Sequence, residues 1–389
     1  MSIAGREAVI AGAVRTPVGR GHPEKGIYAD LHPADLLGRT LVALLDRCGL
    51  DSTAVDNLIV GCAYQIAEQS SGIARTSWLA KGLAEGTGAM TVDVRCGSGE
   101  EAADIAALRI ATGVDEVLVA AGVEHMGRVG FPVNQGAQEE WGRAFPGELL
   151  ERYDLVPQGV GAEMIAAEYG ITRADMDEFA VRSHRLAQAA TEDGSFAREI
   201  LPIESGGTTH TTDQGIRPGS TVEKLAALKP AFSAEGSVTA GNSSQISDGA
   251  AALLLSDREQ ASRLGLTPRA VMVDQVVLGV DPVTMLKGPI PATARILERN
   301  GLKIDDIDVV EINEAFASVP LAWIAAHGAD PARVNPRGGA IALGHPLGST
   351  GARLLTTLLH ELEDLDVELG LVTMCCGGGI GTATLIRRL

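Results

Sequence analysis

The stretch ALLDRCGLDSTAVDNLIVG, residues 43–61, aligns without a gap to RILERNGLKIDDIDVVEIN, residues 295–313. Each copy reads as the end of an amphipathic helix, a glycine stop, a polar linker and a buried strand. The similarity extends outward in both directions. AVIAGAVRTPVG near the start corresponds to AVMVDQVVLGVDPV from Ala270, and DEVLVAAG from Asp115 corresponds to ELGLVTMCCGG from Glu368 at nearly the same offset. The chain is therefore expected to contain two copies of one α/β unit, with helices layered around sheets.

Between the copies the texture changes, from about Glu124 to Ser244, where Gly, Pro and charge mix through GRVGFPVNQGAQEEWGRAFPGELLERYD and ESGGTTHTTDQGIRPGST. This region also holds two helical stretches, the second with Thr172 as N-cap. It is an insertion with its own structure, of the kind that shapes a binding site. The expected organisation is an N-terminal half made of residues 1–121 and 245–267, an inserted loop domain over 122–244, and a C-terminal half over 268–389.

Composition narrows the function. A net charge of -18 opposes non-specific binding to nucleic acid, so any anionic ligand must meet a local basic patch. The five cysteines, two of them adjacent at Cys375 and Cys376, make no disulfide framework and suit a reducing cytosol. The N-terminus is wrongly flanked for a secretory signal, the end IRRL is not a peroxisomal address, and no apolar run approaches a membrane span. A soluble cytoplasmic protein is expected.

Four segments carry candidate chemistry. In MTVDVRCGSGEEAADIAAL, Cys96 stands at a strand-to-helix turn, where the helix dipole favours thiolate. The rival reading is a dinucleotide fingerprint, G-x-G-x-x-A, with Glu124 as the ribose-binding carboxylate. Cys48 and Cys62 read as inert packing residues. In NPRGGAIALGHPLGSTGARLL, His345 lies between Gly344 and Pro346 before a helix, which aims its imidazole. In MCCGGGIGTATLI, glycines after two cysteines let backbone N–H groups approach an oxyanion. Metal binding by Cys375 and Cys376 lacks a completing CxxC pair or histidine cluster. In EINEAFASVP, Asn313 ends a strand where its amide could fix a water or a carbonyl, with helix capping by Asn313 and Glu314 as the plain alternative.

CGSG, NEAF, GGAIALGHPLGSTGAR and CCGGGIG, with TAGNSSQISDGAAALLL before the second copy, together resemble the thiolase family over essentially the whole chain. The resemblance implies a duplicated five-layered α/β/α/β/α core with an inserted loop domain. It implies reversible, CoA-dependent cleavage of 3-ketoacyl-CoA to acetyl-CoA and a shortened acyl-CoA, or the reverse condensation. Cys96 then matches the nucleophile, and Cys375 the cysteine that moves the α-proton. His345 activates the nucleophile and acts with a water held by Asn313, and the backbone N–H groups of Cys96 and Gly377 form an oxyanion hole. Arg217, Ala240, Ser244, Ala315 and Phe316 match coenzyme A contacts. Coenzyme A is substrate and product, with no tightly bound cofactor and no metal, and a homodimer or homotetramer is implied.

Some positions depart from the family pattern: Glu100 and Glu101 after the nucleophile, Pro157 and Gln158, Pro336 and Arg337, and Ile380. Glu100 and Glu101 would oppose thiolate formation unless they face solvent. WLAKGL, SSQISDGAAA and INEAFASV resemble actinobacterial degradative thiolases, including those acting on steroid side chains. A ketoacyl synthase shares the fold but lacks a second catalytic cysteine, and a non-catalytic acyl-CoA or lipid carrier would not need Cys96, Cys375 and His345 together.

Overall fold

The computed structural model describes residues 5–389. Its strands are β1 (Ala8–Arg15), β2 (Gly19–Arg20), β3 (Asn57–Gly61), β4 (Gly88–Val92), β5 (Val117–His125), β6 (Ile203–Ser205), β7 (Thr208–His210), β8 (Ser247–Asp257), β9 (Ala270–Gly279), β10 (Val309–Ile312), β11 (Leu369–Cys376) and β12 (Ile380–Arg388). The main sheet runs β10-β11-β12-β9-β1-β8-β5-β3-β4, with β2 against β8. Its two halves repeat one pattern. β5 lies parallel to β3 and antiparallel to β8, as β11 lies parallel to β10 and antiparallel to β12. Among the described residues, the two half-sheets pair only where Val9 and Ile10 of β1 meet Val271 and Ala270 of β9.

The aligned copies fold alike for a local reason. Helix Pro33–Cys48 stops at Gly49 with φ 62°, and helix Pro289–Asn300 stops at Gly301 with φ 65°. A left-handed residue closes each helix, which glycine adopts without a Cβ penalty. Short 3-10 turns, Ser52–Ala54 and Ile304–Asp306, then lead into β3 and β10.

Period-2 alternation builds the layers. Leu58 and Val60 of β3 face Leu37, Leu41 and Leu44 of the outer helix Pro33–Cys48. Ile59 faces the other way, into a core shared with helices Ser98–Ala111 and Leu347–Asp364 and with Val372 and Met374 of β11. On the far side, Leu371 and Leu385 pack with Ile296 and Trp323 of the outer helices Pro289–Asn300 and Ser318–His327. Two helices thus lie between two half-sheets, each covered by outer helices, which is the five-layered order. Each buried Leu or Ile contributes roughly 1.5–3 kcal/mol.

The central helices cross with backbones almost touching. A Cβ on Gly99 would stand 2.7 Å from the Gly348 carbonyl, and one on Gly351 would clash with the Glu100 amide. The glycines of CGSG and GSTG therefore serve helix packing, not a nucleotide. Glu124 agrees: its buried carboxylate accepts hydrogen bonds from the amides of Ala63 (2.8 Å) and Gly348 (2.9 Å) and from Gln69 Nε2 (2.6 Å). With its acceptors engaged in the interior, Glu124 cannot reach a ribose, and the dinucleotide alternative falls.

The segment between β5 and β8 holds helices Phe131–Trp141, Gly147–Arg152, Gln158–Tyr169 and Arg173–Glu192 and the β6–β7 hairpin. Thr172 caps the last of these helices in a reciprocal box with Asp175. Met176 and Phe179 pack against Phe316, Val319 and Ile341 of the C-terminal half. Arg15 of β1, fully buried, reaches from the N-terminal half to Asp213 (2.7 and 3.0 Å) and Glu199 (2.5 Å). The segment is thereby tied to both halves. No helix among the described residues is long and apolar enough to cross a membrane.

Candidate active site

Cys96 sits in a 3-10 turn, Arg95–Gly97, that feeds helix Ser98–Ala111. The Asp93 carboxylate accepts the Arg95 amide at 2.7 Å, and the Ser98 hydroxyl accepts the Val94 amide at 2.9 Å while donating to the Arg95 carbonyl at 2.6 Å. These bonds hold Arg95 at φ 56°, a conformation costly for a residue with a Cβ. The turn aims the Cys96 sulfur at the Gly377 amide and its own, the two donors that the resemblance assigns to an oxyanion hole.

Burial nonetheless pushes the Cys96 thiol up to about 11. The helix end contributes on the order of 1 kcal/mol, too little to offset the loss of water. The helix dipole favours thiolate, as the position of Cys96 at the turn implies, but burial outweighs it and the residue rests as a thiol. Cys375, at the end of β11, is fully buried, and its thiol is pushed higher still by burial and by the nearby Cys96 sulfur.

The hydrogen bonds around His345 determine its tautomer. The Thr350 hydroxyl donates to the Pro346 carbonyl at 2.8 Å, so at 2.6 Å from His345 Nδ1 it must accept the Nδ1 proton. Nε2 is left with its lone pair, 3.3 Å from Asn313 Nδ2. Burial, with the Arg353 guanidinium nearby, lowers the imidazole to about 3, which keeps it neutral. The backbone is held too: Gly344 takes φ 115°, and the His345 amide donates to the Ser247 hydroxyl at 3.0 Å.

Asn313 follows β10 with its amide bonded to the Thr373 carbonyl at 3.2 Å. Its Oδ1 is buried without a partner among the described residues, an acceptor left over for a water or ligand. Asn313 and Glu314 do not cap a helix, because the next one starts only at Ser318. Glu314 instead accepts from Ser183 Oγ (2.7 Å), Asn335 Nδ2 (2.8 Å) and the Ile341 amide (3.1 Å), welding β10 to the inserted segment and to the loop before His345.

A cavity of about 640 Å³ opens onto His345, and Arg217, Ala240, Ser244, Ala315 and Phe316 all line it. The expected coenzyme A contacts and the histidine thus share one space. Gln158, also in the lining, lies close against Gly377.

The departures from the family pattern resolve by position. Glu100 does not face solvent: it is buried, accepting from the hydroxyls of Thr382 (2.5 Å) and Thr384 (2.8 Å), and burial raises its carboxyl to about 8. At neutral pH it is largely protonated and does not oppose the nucleophile as a charge. Glu101 is likewise raised by burial. Arg337 turns away from the cavity to Asp364 and to the Ser195 carbonyl, and Ile380 packs against the central core. Pro157 and Gln158 do line the cavity.

Sequence reasoning missed Thr350 and Ser247, which orient His345, and the buried pair of Arg353 and Glu311 (3.1 Å) behind it. No spacing in the sequence marks either, since Thr350 follows His345 by five residues and His345 precedes the helix that carries Thr350.

With this geometry in hand, the comparisons are decisive. Residues 8–259 match the family model "Thiolase, N-terminal domain" and residues 266–388 match "Thiolase, C-terminal domain". The chain belongs to the thiolase family. This thiolase is 44% identical to the steroid 3-ketoacyl-CoA thiolase FadA6 of Mycobacterium tuberculosis, over 98% of this chain and 94% of that protein. It is 43% identical to a 3-ketoacyl-CoA thiolase of Shewanella loihica, over 98% of this chain and all of the relative (100%). The crystal structure of an acetyl-CoA acetyltransferase from Bacillus anthracis superposes with a TM-score of 0.92 at 39% identity, covering 100% of both chains.

Proposed function

We propose that this thiolase cleaves 3-ketoacyl-CoA with coenzyme A to acetyl-CoA and a shortened acyl-CoA, reversibly, through an acyl-Cys96 thioester. One observation carries the reading: the neutral imidazole of His345, held by Thr350 with Nε2 as an acceptor facing Asn313 Nδ2, lines the cavity of the expected coenzyme A contacts, and Gln158 of the same lining lies against Gly377, whose amide faces the buried Cys96 thiol. A thiol that burial keeps protonated attacks only if its proton leaves, and a neutral imidazole is the acceptor.

In the cleavage direction, His345 takes the Cys96 proton as the sulfur adds to the 3-keto carbon. The amides of Cys96 and Gly377 stabilise the oxyanion that forms there. The C2–C3 bond breaks as the oxyanion collapses, and the electron pair moves into the enolate of acetyl-CoA. His345 and a water on Asn313 stabilise that enolate oxygen, and Cys375 returns the proton to C2. Coenzyme A then gives its thiol proton to the Cys375 thiolate, and its sulfur forms the new thioester as the acyl–Cys96 bond breaks and His345 returns its proton to the Cys96 sulfur. Cys375 starts as a thiol because burial and Cys96 raise it, which suits a proton donor in this direction.

Arg217 supplies the positive charge that a nucleotide ligand needs on an acidic protein. The largely apolar lining, including Met126, Phe131, Phe232, Ile246 and Leu347, supports a degradative enzyme that accepts acyl chains longer than acetoacetyl. We place it in the cytoplasm as a homodimer or homotetramer. Support comes from β4, a half-buried edge strand with one side free among the described residues to pair across a two-fold axis.

The test is thiolysis of acetoacetyl-CoA, medium- and long-chain 3-ketoacyl-CoA and a steroid-derived 3-ketoacyl-CoA, followed by loss of the magnesium-enolate absorbance, with Cys96→Ala as control. Turnover that rises with acyl length is expected. A preference for acetoacetyl-CoA would overturn the degradative reading, and failure on every thioester would overturn the thiolytic one.

A further inference from the structure

Among the described residues, the cavity is lined by no Asp or Glu, although the chain carries 50 acidic residues against 32 basic ones. Besides Arg217 and His345, two basic side chains line it that the mechanism leaves unused: Arg20 and His22. Arg20 is exposed and His22 half-buried.

Both sit on a strap fixed from two sides. In β2, Arg20 pairs opposite Ser247, whose hydroxyl accepts the His345 amide at 3.0 Å, and the next residue, Gly21, donates to the Ile246 carbonyl at 2.8 Å. From the inserted segment, Gln214 accepts the Arg20 amide at 2.9 Å and donates to the Lys25 carbonyl at 2.8 Å. His22 is preorganised: its Nδ1 accepts the amides of Glu24 and Lys25, both at 3.1 Å. The ring proton therefore sits on Nε2, as a donor.

Through Ser247 the strap is anchored beside His345, at the reacting end of the thioester. The phosphates of coenzyme A are separated from that end by the whole pantetheine arm. Close to the strap the lining is apolar, with Met126 and Ile246. An apolar wall ending in a guanidinium and an N–H donor suits an alkyl chain that terminates in an anion. A carboxylate placed there without a cation would lose its hydration uncompensated.

We propose that Arg20 and His22 form an anion contact for the far end of the acyl group, so that the enzyme prefers 3-ketoacyl-CoA thioesters whose chain ends in a carboxylate. This rests on the thiolytic reading above.

The test compares kcat/KM for 3-oxohexanoyl-CoA with 3-oxoadipyl-CoA, and for 3-oxooctanoyl-CoA with 3-oxosuberyl-CoA, in the wild type, Arg20→Gln, Arg20→Lys and His22→Asn. At one of the two lengths, the carboxylated chain should be favoured at least tenfold. Arg20→Gln should remove that preference through KM for the carboxylated thioester, Arg20→Lys should restore part of it, and His22→Asn should weaken it. A wild type without preference at either length overturns the inference while leaving thiolysis standing. So does an Arg20→Gln variant that raises KM for free coenzyme A equally with every chain, which would assign the contact to a coenzyme A phosphate. No turnover of any chain, with Cys96 unacylated by acetyl-CoA, would instead overturn the thiolytic reading itself.

Discussion

The two halves meet the same structural problem, a chain entering a buried central helix, and solve it with different chemistry. In the N-terminal half, β4 pairs along its length with β3, then a tight turn places Cys96 ahead of helix Ser98–Ala111. In the C-terminal half, the corresponding strand shrinks to a single bridge between Val310 and Val334. The chain saved goes into a longer loop with a short helix, Ala340–Leu343, that places His345 ahead of helix Leu347–Asp364. Equivalent positions of a duplicated unit thus hold a thiol and an imidazole. Likewise Gly61 closes β3 where Asn313 follows β10, and Cys375 stands one residue before the end of β11 where β5 carries Val123. Duplication supplied two scaffolds, and differences in both loop length and side chain between them set a thiol at one junction and an imidazole at the other.

The sharpest way to break this division is at the nucleophile. Cys96→Ala should lose covalent acylation by acetyl-CoA, read by intact-protein mass, and thiolysis should fall on the order of 10³-fold or more. Normal acylation in that variant would sink the assignment.

The partner junction comes next. His345→Ala should lower turnover by about 10²–10⁴-fold. Its pH profile tells more than its size. Because burial holds His345 down to about 3 and Cys96 up to about 11, both stay neutral between those limits, and wild-type acylation should be flat from about pH 6 to 9. Without the base, only pre-formed thiolate attacks, so the residual rate should climb with pH. A residual rate as flat as the wild type would mean that His345 is not the acceptor.

Cys375→Ala sharpens the comparison by separating two steps. Acylation of Cys96 should persist, while carbon–carbon cleavage and exchange of the acetyl-CoA α-protons fall by roughly 10²-fold or more. Equal loss of both would contradict separate roles for the two cysteines. Thr350→Val should cost about tenfold by freeing the imidazole to change tautomer, visible as a changed ring 15N spectrum; an unchanged spectrum would count against the tautomer argument.

The smallest effect is on stability, beneath Cys96. Burial raises Glu100 to about 8 from an unfolded value near 4.5, so the folded state binds the extra proton between those values. Stability from this group is full below the unfolded value and is lost as pH rises through about 8. Glu100→Gln should therefore gain on the wild type by roughly 1–3 kcal/mol between pH 5 and pH 8.5. Parallel unfolding curves across that range would refute the buried, protonated carboxyl.

Much of this was legible from residues alone. The gapless repeat predicted both helix–turn–strand units, since glycine stops and period-2 apolar runs act over a few residues. The glycine-flanked histidine and the paired cysteines marked where chemistry gathers. The G-x-G-x-x-A turn left a dinucleotide rival open, because a glycine required by a neighbouring helix looks the same in sequence as one required by a phosphate. The charge state of Cys96 and the surroundings of Glu100 were equally unreadable. Dipole and motif are local, whereas loss of water depends on the layers stacked above and below.

The sequence by itself determined the duplication, the helix stops and the residue types available for acyl transfer, because these follow from periodicity and local backbone preference. Only the tertiary structure decided which carboxyls lose water, which tautomer His345 adopts through Thr350, and that Arg20 and His22 join the cavity from more than two hundred residues upstream of the segment that anchors them. Those outcomes depend on burial and on hydrogen bonds between distant segments, and neither is encoded at the spacing of a motif.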